Sequence, residues 1–190
     1  GSEKYAIHSL GQELPMHDPK ISPSLGMTYS FDPTPGRHTA ASLDWYLTSP
    51  VKDGDLYEGF TLPKGLEKMG SSSRHEAMKR ITCLTQSTNS LGICWFSWDI
   101  QSYPLLKFLN ALTGWDISME ELLECGMRIQ TLRQAFTIRE GITIARNKLP
   151  GRSIGDPPFE RGPWKGITID YVGDYKGYCK KMGWNPETGY

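Results

Sequence analysis

Two side chains in this sequence have both the chemistry and the setting for a reactive site: the thiol of Cys94 and the imidazole of His38. Cys94 lies in Asn89-Ser90-Leu91-Gly92-Ile93-Cys94-Trp95-Phe96, just past an apolar helical run and close behind Gly92, and two aromatics follow that can shield a bound group from water. A thiolate buried against a metal site has this pattern. The same pattern describes an inert core cysteine, because free cysteine is among the most buried residue types. His38 stands in the loop PTPGRHTAAS, where Gly36 frees the backbone just before Arg37. A proline-stiffened loop holds an imidazole in place at low entropic cost, and an imidazole moves protons at neutral pH. A surface histidine without chemistry is the competing reading. His17, beside Asp18-Pro19, is intermediate, since the carboxylate can orient the ring or cap a turn. His8 and His75 have no companion that suggests chemistry.

The four cysteines, Cys83, Cys94, Cys125 and Cys179, are separated by 11, 31 and 54 positions, with no CxxC pair. That spacing argues against a self-contained zinc site, and the modest count in 190 residues against a disulfide framework. A metal role for one of them needs ligands from elsewhere. Lys plus Arg and Asp plus Glu are equal at 21 each, so there is no net basic field to hold nucleic acid or an anionic membrane surface. No stretch approaches the roughly 18 apolar residues of a membrane span, and no basic-then-apolar leader opens the chain, so a cytoplasmic location is expected. Gly1-Ser2 without a methionine reads as the scar of tag removal from a longer protein.

The elements that must position these groups are helices. Residues 4–14 alternate loosely and predict a short extended segment with Tyr5, Ile7 and Leu10 inward. Five prolines from Pro15 to Pro35 forbid a long helix there, apart from a short one that opens at Ser22-Pro23 and ends before Asp32-Pro33. Residues 48–72 are loop-rich and predict a surface cover. A helix is expected from Ser73, with Glu76 completing a capping box. Its apolar positions Ala77, Ile81, Leu84 and Leu91 share one face, and its break near Gly92 puts Cys94 at or just past a helix end. Residues 103–113 predict a helix with Leu105, Phe108, Leu109 and Leu112 inward and Gly114 as its stop. Ser118 and Glu121 make a second capping box, with Ile117 and Leu122 as hydrophobic staple. That helix places Leu122, Cys125, Ile129, Leu132 and Phe136 on one face and ends by Gly141. Asp170 caps a last helix with Val172, Tyr175, Cys179 and Met182 on one face and Gly183 after it. Cys125 and Cys179 are accordingly expected in the core. The fold class is mostly α, with residues 3–72 loop-rich and residues 73–190 helical.

Several of these stretches together resemble the C-terminal part of the tungsten-containing aldehyde ferredoxin oxidoreductase family. GQELPMHDPK resembles a family stretch that reads roughly KGLELPAYDPR, and LGMTYSFDPTPGRH resembles a GLxYAT segment leading to a histidine. NSLGIC is similar to a DxxGLC motif. LLKFLNALTGWDISMEELLECGMRIQTLRQAFTIREGI and GPWKGITIDYVGDYKGYCKKMGWNPETG match the family's TGWD, REG and terminal GW pieces, so the likeness runs over nearly the whole chain.

The resemblance implies a helical C-terminal region with long Pro/Gly-rich loops, belonging to an enzyme that binds tungsten, or molybdenum, through two pterin dithiolenes beside a four-iron four-sulfur cluster. It implies oxidation of aldehydes to carboxylic acids, with electrons leaving through the cluster to ferredoxin. Cys94 then matches the fourth cluster ligand, His38 the histidine beside the metal, and Asn89, Gly92 and Ile93 the motif that hydrogen-bonds a pterin. Two departures stand out. Asn89 replaces the family's Asp, removing a charge and adding NH₂ donors, and His38 follows DPTPGR rather than the GAC of the best-known aldehyde oxidisers. The pterin-binding β domain, the other three cluster cysteines and a metal-proximal glutamate are implied upstream, so this chain is expected to hold no cofactor and to be inactive alone. An upstream pterin-binding domain and an electron carrier such as ferredoxin are the implied partners, and the oligomeric state, a homo-oligomer included, stays open. The alternatives are a non-catalytic helical accessory module and a part of a related reductase of the benzoyl-CoA reductase type.

Overall fold

Short local signals decide where each helix starts and stops. The computed structural model describes all residues except 42, 49–55, 67, 101 and 144–146, with residue 48 described in its backbone only. At the N-terminus His8–Ser9 (β1) pairs antiparallel with Gln12–Glu13 (β2), His8 opposite Glu13. The turn at Leu10-Gly11 has positive φ at both residues. A hairpin thus replaces the extended segment expected over residues 4–14. Tyr5 and Leu10 are exposed, because two-residue strands bury no continuous face.

The first helix, Ser24–Phe31 (α1), follows Ser22-Pro23 and stops at Asp32, before Pro33, as expected. A helix that periodicity did not suggest, Leu43–Thr48 (α2), comes next. Ser72–Ser90 (α3) is capped by Ser71, whose Oγ accepts from the Arg74 N–H. The box expected between Ser73 and Glu76 is not the cap used. Leu105–Thr113 (α4) ends at Gly114, φ 74°. Met119–Arg139 (α5) opens with the expected reciprocal pair: the Ser118 N–H donates to Glu121 Oε2 at 2.8 Å, and the Glu121 N–H donates to Ser118 Oγ at 3.3 Å. A single turn, Gly151–Ile154 (α6), precedes Tyr171–Met182 (α7), where Asp170 accepts from the Gly173 N–H and Gly183 at φ 78° ends the helix.

The core lies where α3, α5 and α7 meet, with α1 against α7. At Gly126 of α5 a Cβ would stand 1.9 Å from the Cys83 carbonyl oxygen, so α3 and α5 touch backbone to backbone. Ser87 Oγ donates to the Leu122 carbonyl at 2.8 Å across the same contact. Phe31 stacks on Tyr175 with centroids 4.0 Å apart, joining α1 to α7.

The inward faces differ from the apolar stripes in the sequence. On α5, Leu132 and Phe136 are exposed and Cys125 and Ile129 are half-buried, whereas Gln130 and Gln134 are buried. These amides are satisfied: Gln130 Oε1 accepts from Arg133 at 2.9 Å, and Gln134 Nε2 donates to Tyr175 Oη at 2.9 Å. On α4, Leu105 and Leu109 point inward, but Phe108 and Leu112 are exposed; Leu91 is exposed too. Residues 48–72 are more than a surface cover, since Leu56, Tyr57, Phe60 and Leu66 join the core; residues 49–55 and 67 lie outside the described set. No helix among the described residues is long and apolar enough to cross a membrane.

Candidate active site

Cys94 is placed by the way α3 ends. Gly92, at φ 70°, donates its N–H to the Asn89 carbonyl at 3.1 Å, and Ile93 donates to the Thr88 carbonyl at 3.0 Å. These are the two bonds of a Schellman cap, and the left-handed turn they close suits a glycine. The chain leaves the cap through half-buried Ile93 to Cys94, which is exposed. A 3₁₀ helix, Trp95–Ile100, starts there, and the Cys94 carbonyl accepts from the Ser97 N–H at 2.9 Å. Ser97 Oγ, three residues on from Cys94, lies 2.7 Å from Tyr57 Oη in a buried hydroxyl pair that ties this turn to the 56–66 segment.

His38 is placed by a loop that is pinned at both ends. Asp32 Oδ1 accepts from the Thr34 N–H at 2.8 Å, and Arg133 reaches from α5 to both Asp32 and Thr34. The Gly36 N–H donates to the Tyr29 carbonyl at 2.9 Å. Gly36 is required twice: φ is 75°, and a Cβ would come 2.7 Å from the Gln12 side chain of the hairpin. Burial first, then the charges of His17 and Arg37, hold the His38 imidazole below its ordinary pKa. It is therefore neutral at pH 7, with one ring nitrogen as donor and the other as acceptor.

An aromatic run joins the two candidates. The His38 ring stands 5.8 Å from Trp45 of α2, Trp45 stands 5.1 Å from Trp95, and Trp95 is the residue after Cys94. Trp95 also packs edge-on to Trp98 at 3.9 Å and to Phe96 at 5.6 Å. His17 closes the other end, 4.7 Å from His38 and 4.8 Å from Trp45. Sequence spacing hides this cluster, because its members come from four segments. Trp45 gives no signal beyond being a tryptophan in a short helix.

The α2 turn that carries Trp45 is held from below. Asp44 accepts from the Ser24 N–H at the start of α1 and from Arg74 Nη2 of α3, and Arg74 Nη1 donates to the Leu66 carbonyl at 3.0 Å. One buried ion pair thus fixes α1, α2, α3 and the 56–66 segment relative to each other.

Asn89 and Gly92 are exposed beside Cys94, so the expected cofactor-binding residues form one contiguous edge. The other thiols differ. Cys83 and Cys179 are buried, and burial pushes them up to about 12 and about 11. Cys125 is half-buried in a groove of about 530 Å³ between α4 and α5. His75, expected to lack a companion, meets Asp174 of α7 at 3.2 Å and lies against Gly177, which is a structural contact. Among the described residues no three His, Cys, Asp or Glu side chains converge as metal ligands.

The chain is similar to known proteins along its whole length. The family model described as aldehyde ferredoxin oxidoreductase, domains 2 & 3, matches residues 1–190. The chain is 27% identical over 176 residues to the tungsten-containing aldehyde ferredoxin oxidoreductase of Pyrococcus furiosus, covering 92% of this chain and 27% of that protein. It is 24% identical over 192 residues to the enzyme of that name from Thermococcus kodakarensis, covering 98% of this chain and 29% of the relative. The chain thus spans under a third of the length of these relatives. With its family model matched from end to end, the chain belongs to the aldehyde ferredoxin oxidoreductase family.

Proposed function

We propose that this chain is the helical part of a cytoplasmic tungsten–pterin (or molybdenum–pterin), iron–sulfur oxidoreductase that converts aldehydes to carboxylic acids and delivers the electrons to ferredoxin. The observation that carries this reading is the aromatic run from His38 to Trp95, which links a neutral proton-handling imidazole to the segment that presents an exposed thiol. The residues present fit such a group in part. One exposed thiol suits one iron of a cluster, and Trp95 Nε1 beside it is a buried donor without a hydrogen-bond partner among the described residues. The remaining ligands come from an upstream pterin-binding domain that docks on this edge.

In the complete enzyme Cys94 Sγ would hold an iron of the cluster, while the backbone at Gly92 and Ile93 and the exposed Asn89 amide would hold a pterin. The metal–pterin centre, when bound, supplies the two-electron oxidation. His38 donates its N–H to the aldehyde oxygen or accepts, at the unprotonated ring nitrogen, the proton lost as water adds to the carbonyl carbon. Trp45 and Trp95 keep bulk water from that exchange.

In the protein that carries this chain together with its pterin-binding part, His38→Ala lowers turnover by about 10²–10⁴-fold with tungsten and iron contents unchanged. Loss of the tungsten in that variant would make His38 structural. Cys94→Ser lowers iron content and the visible cluster absorption; full retention of both removes Cys94 from the ligand set. Stoichiometric tungsten or aldehyde oxidation by the isolated chain would overturn the division of the site between two parts.

A further inference from the structure

We propose that His17 is the positioning residue of His38: the two imidazoles form a ring pair against Trp45 in which a charge on one ring opposes a charge on the other, which keeps His38 free to accept the proton released by the reaction. This rests on the proposed role of His38 and adds a residue to it.

The geometry is specific. The rings lie 4.7 Å apart and tilted by 50°, and both lean on the same indole, His17 at 4.8 Å and His38 at 5.8 Å. At that separation two imidazolium charges repel, and the flanking indole displaces water that would screen them. His17 does not drift from this position. Its carbonyl accepts from Tyr29 Oη at 2.9 Å, and Tyr29 is a fully buried side chain of α1 whose phenol stays protonated because burial raises its pKa.

The surrounding charges favour the same outcome. Arg37, beside His38, adds a positive charge that opposes protonation. Asp18, next to His17 in the chain, is engaged by Lys20 Nζ at 2.9 Å. Lys20 is itself buried, donates to the Arg152 carbonyl at 3.0 Å and lies 5.0 Å over the Phe159 ring. Arg152 faces His17 across a cavity of about 280 Å³. No uncompensated negative charge among these groups holds a second proton on the pair. The lowering of the His38 pKa by burial and by His17 agrees with this arrangement.

The test is a proton and carbon NMR titration of the histidine rings in the 190-residue chain across about pH 5–9, which requires no cofactor. In the wild type the His38 ring resonance should move in two steps, one coinciding with the step of His17. In His17→Tyr, which keeps an aromatic ring but cannot take a proton, His38 should titrate in one step, its midpoint raised by about one pH unit. A wild-type His38 curve with a single step independent of His17 would overturn the pair. So would an unchanged midpoint in a His17→Tyr chain whose amide spectrum is otherwise native. Should His17→Tyr fail to fold, the wild-type curve decides by itself. In the assembled enzyme, His17→Tyr should move the acid limb of the kcat/KM profile to higher pH, whereas a residue that only supports packing would lower activity without moving the limb. The titration is independent of turnover, so its failure would sink the pair and leave the catalytic role of His38 to its own test.

Discussion

Cys83 and Cys94 stand 11 positions apart, one in α3 and the other just past its cap, and they have opposite chemistry. Cys83 is packed where α3 meets α5, only 1% exposed, and burial pushes its thiol up to about 12. Cys94 emerges beyond a backbone-closed turn and is exposed. The residue type is the same, so the difference comes from the helix: its middle is the place to bury a side chain, and its end is the place to present one. The same division separates the α3–α5–α7 core, which resists change, from the edge carrying His17, His38, Trp45 and Cys94, where chemistry is available.

Thiol labelling breaks or sharpens this contrast most strongly. At pH 7 a thiol with a pKa near 12 is thiolate at about one part in 10⁵. Iodoacetamide followed by peptide mass spectrometry should therefore modify Cys94 first, half-buried Cys125 more slowly, and Cys83 and Cys179 only in denaturant. Early modification of Cys83 would dissolve the comparison.

Opening the core is the next largest effect. Arg74→Ala leaves the Asp44 carboxylate without its buried partner and should cost about 3–5 kcal/mol in urea unfolding. A loss below about 1 kcal/mol would show that the ion pair does not tie the helices together. Gly126→Ala forces a methyl group against the Cys83 carbonyl, and a cost of about 1–3 kcal/mol is expected, with accelerated labelling of Cys83 and unchanged labelling of Cys94. The smallest effect is a slope. The His38 pKa is lowered in the folded chain, so as pH falls below about 6.5 the unfolded chain takes up the proton first and stability drops. That contribution is fully present above neutrality and is lost towards the folded pKa. The urea midpoint should fall less between about pH 7 and pH 5 in His38→Gln than in the wild type.

Much of the frame is legible in the sequence because it depends on local signals. Ser118 with Glu121, Asp170, Gly92, Gly114 and Gly183 each act within one turn of themselves, and each does in the structure what its position suggests. The faces of the helices are less legible. Apolar spacing on α5 points to Leu132 and Phe136, but the buried positions include Gln130 and Gln134, because Arg133 one turn on satisfies the first amide and Tyr175 of α7 the second. No periodicity reports a partner that lies 40 or more residues away, as Tyr175 does from Gln134. The site divides in the same way. Cys94 and its exposure could be read from the helix end, whereas the approach of His17 to His38 depends on α1 folding back between them, and Trp45 joins only because Asp44 anchors α2.

The cap beyond α3 has a consequence for how this family can diversify. Asn89 enters that turn only through its backbone carbonyl, which accepts from Gly92, and its side chain is exposed. A carboxylate at position 89 would therefore leave the hydrogen bonds of the turn intact and cost only its repulsion from the C-terminal end of α3, about 0.3–1 kcal/mol, while Gly92 at φ 70° is held fixed by its backbone. Two positions of one turn thus answer to different constraints: position 89 bears on the helix end through the charge of its side chain, and Gly92 answers to the geometry of the chain.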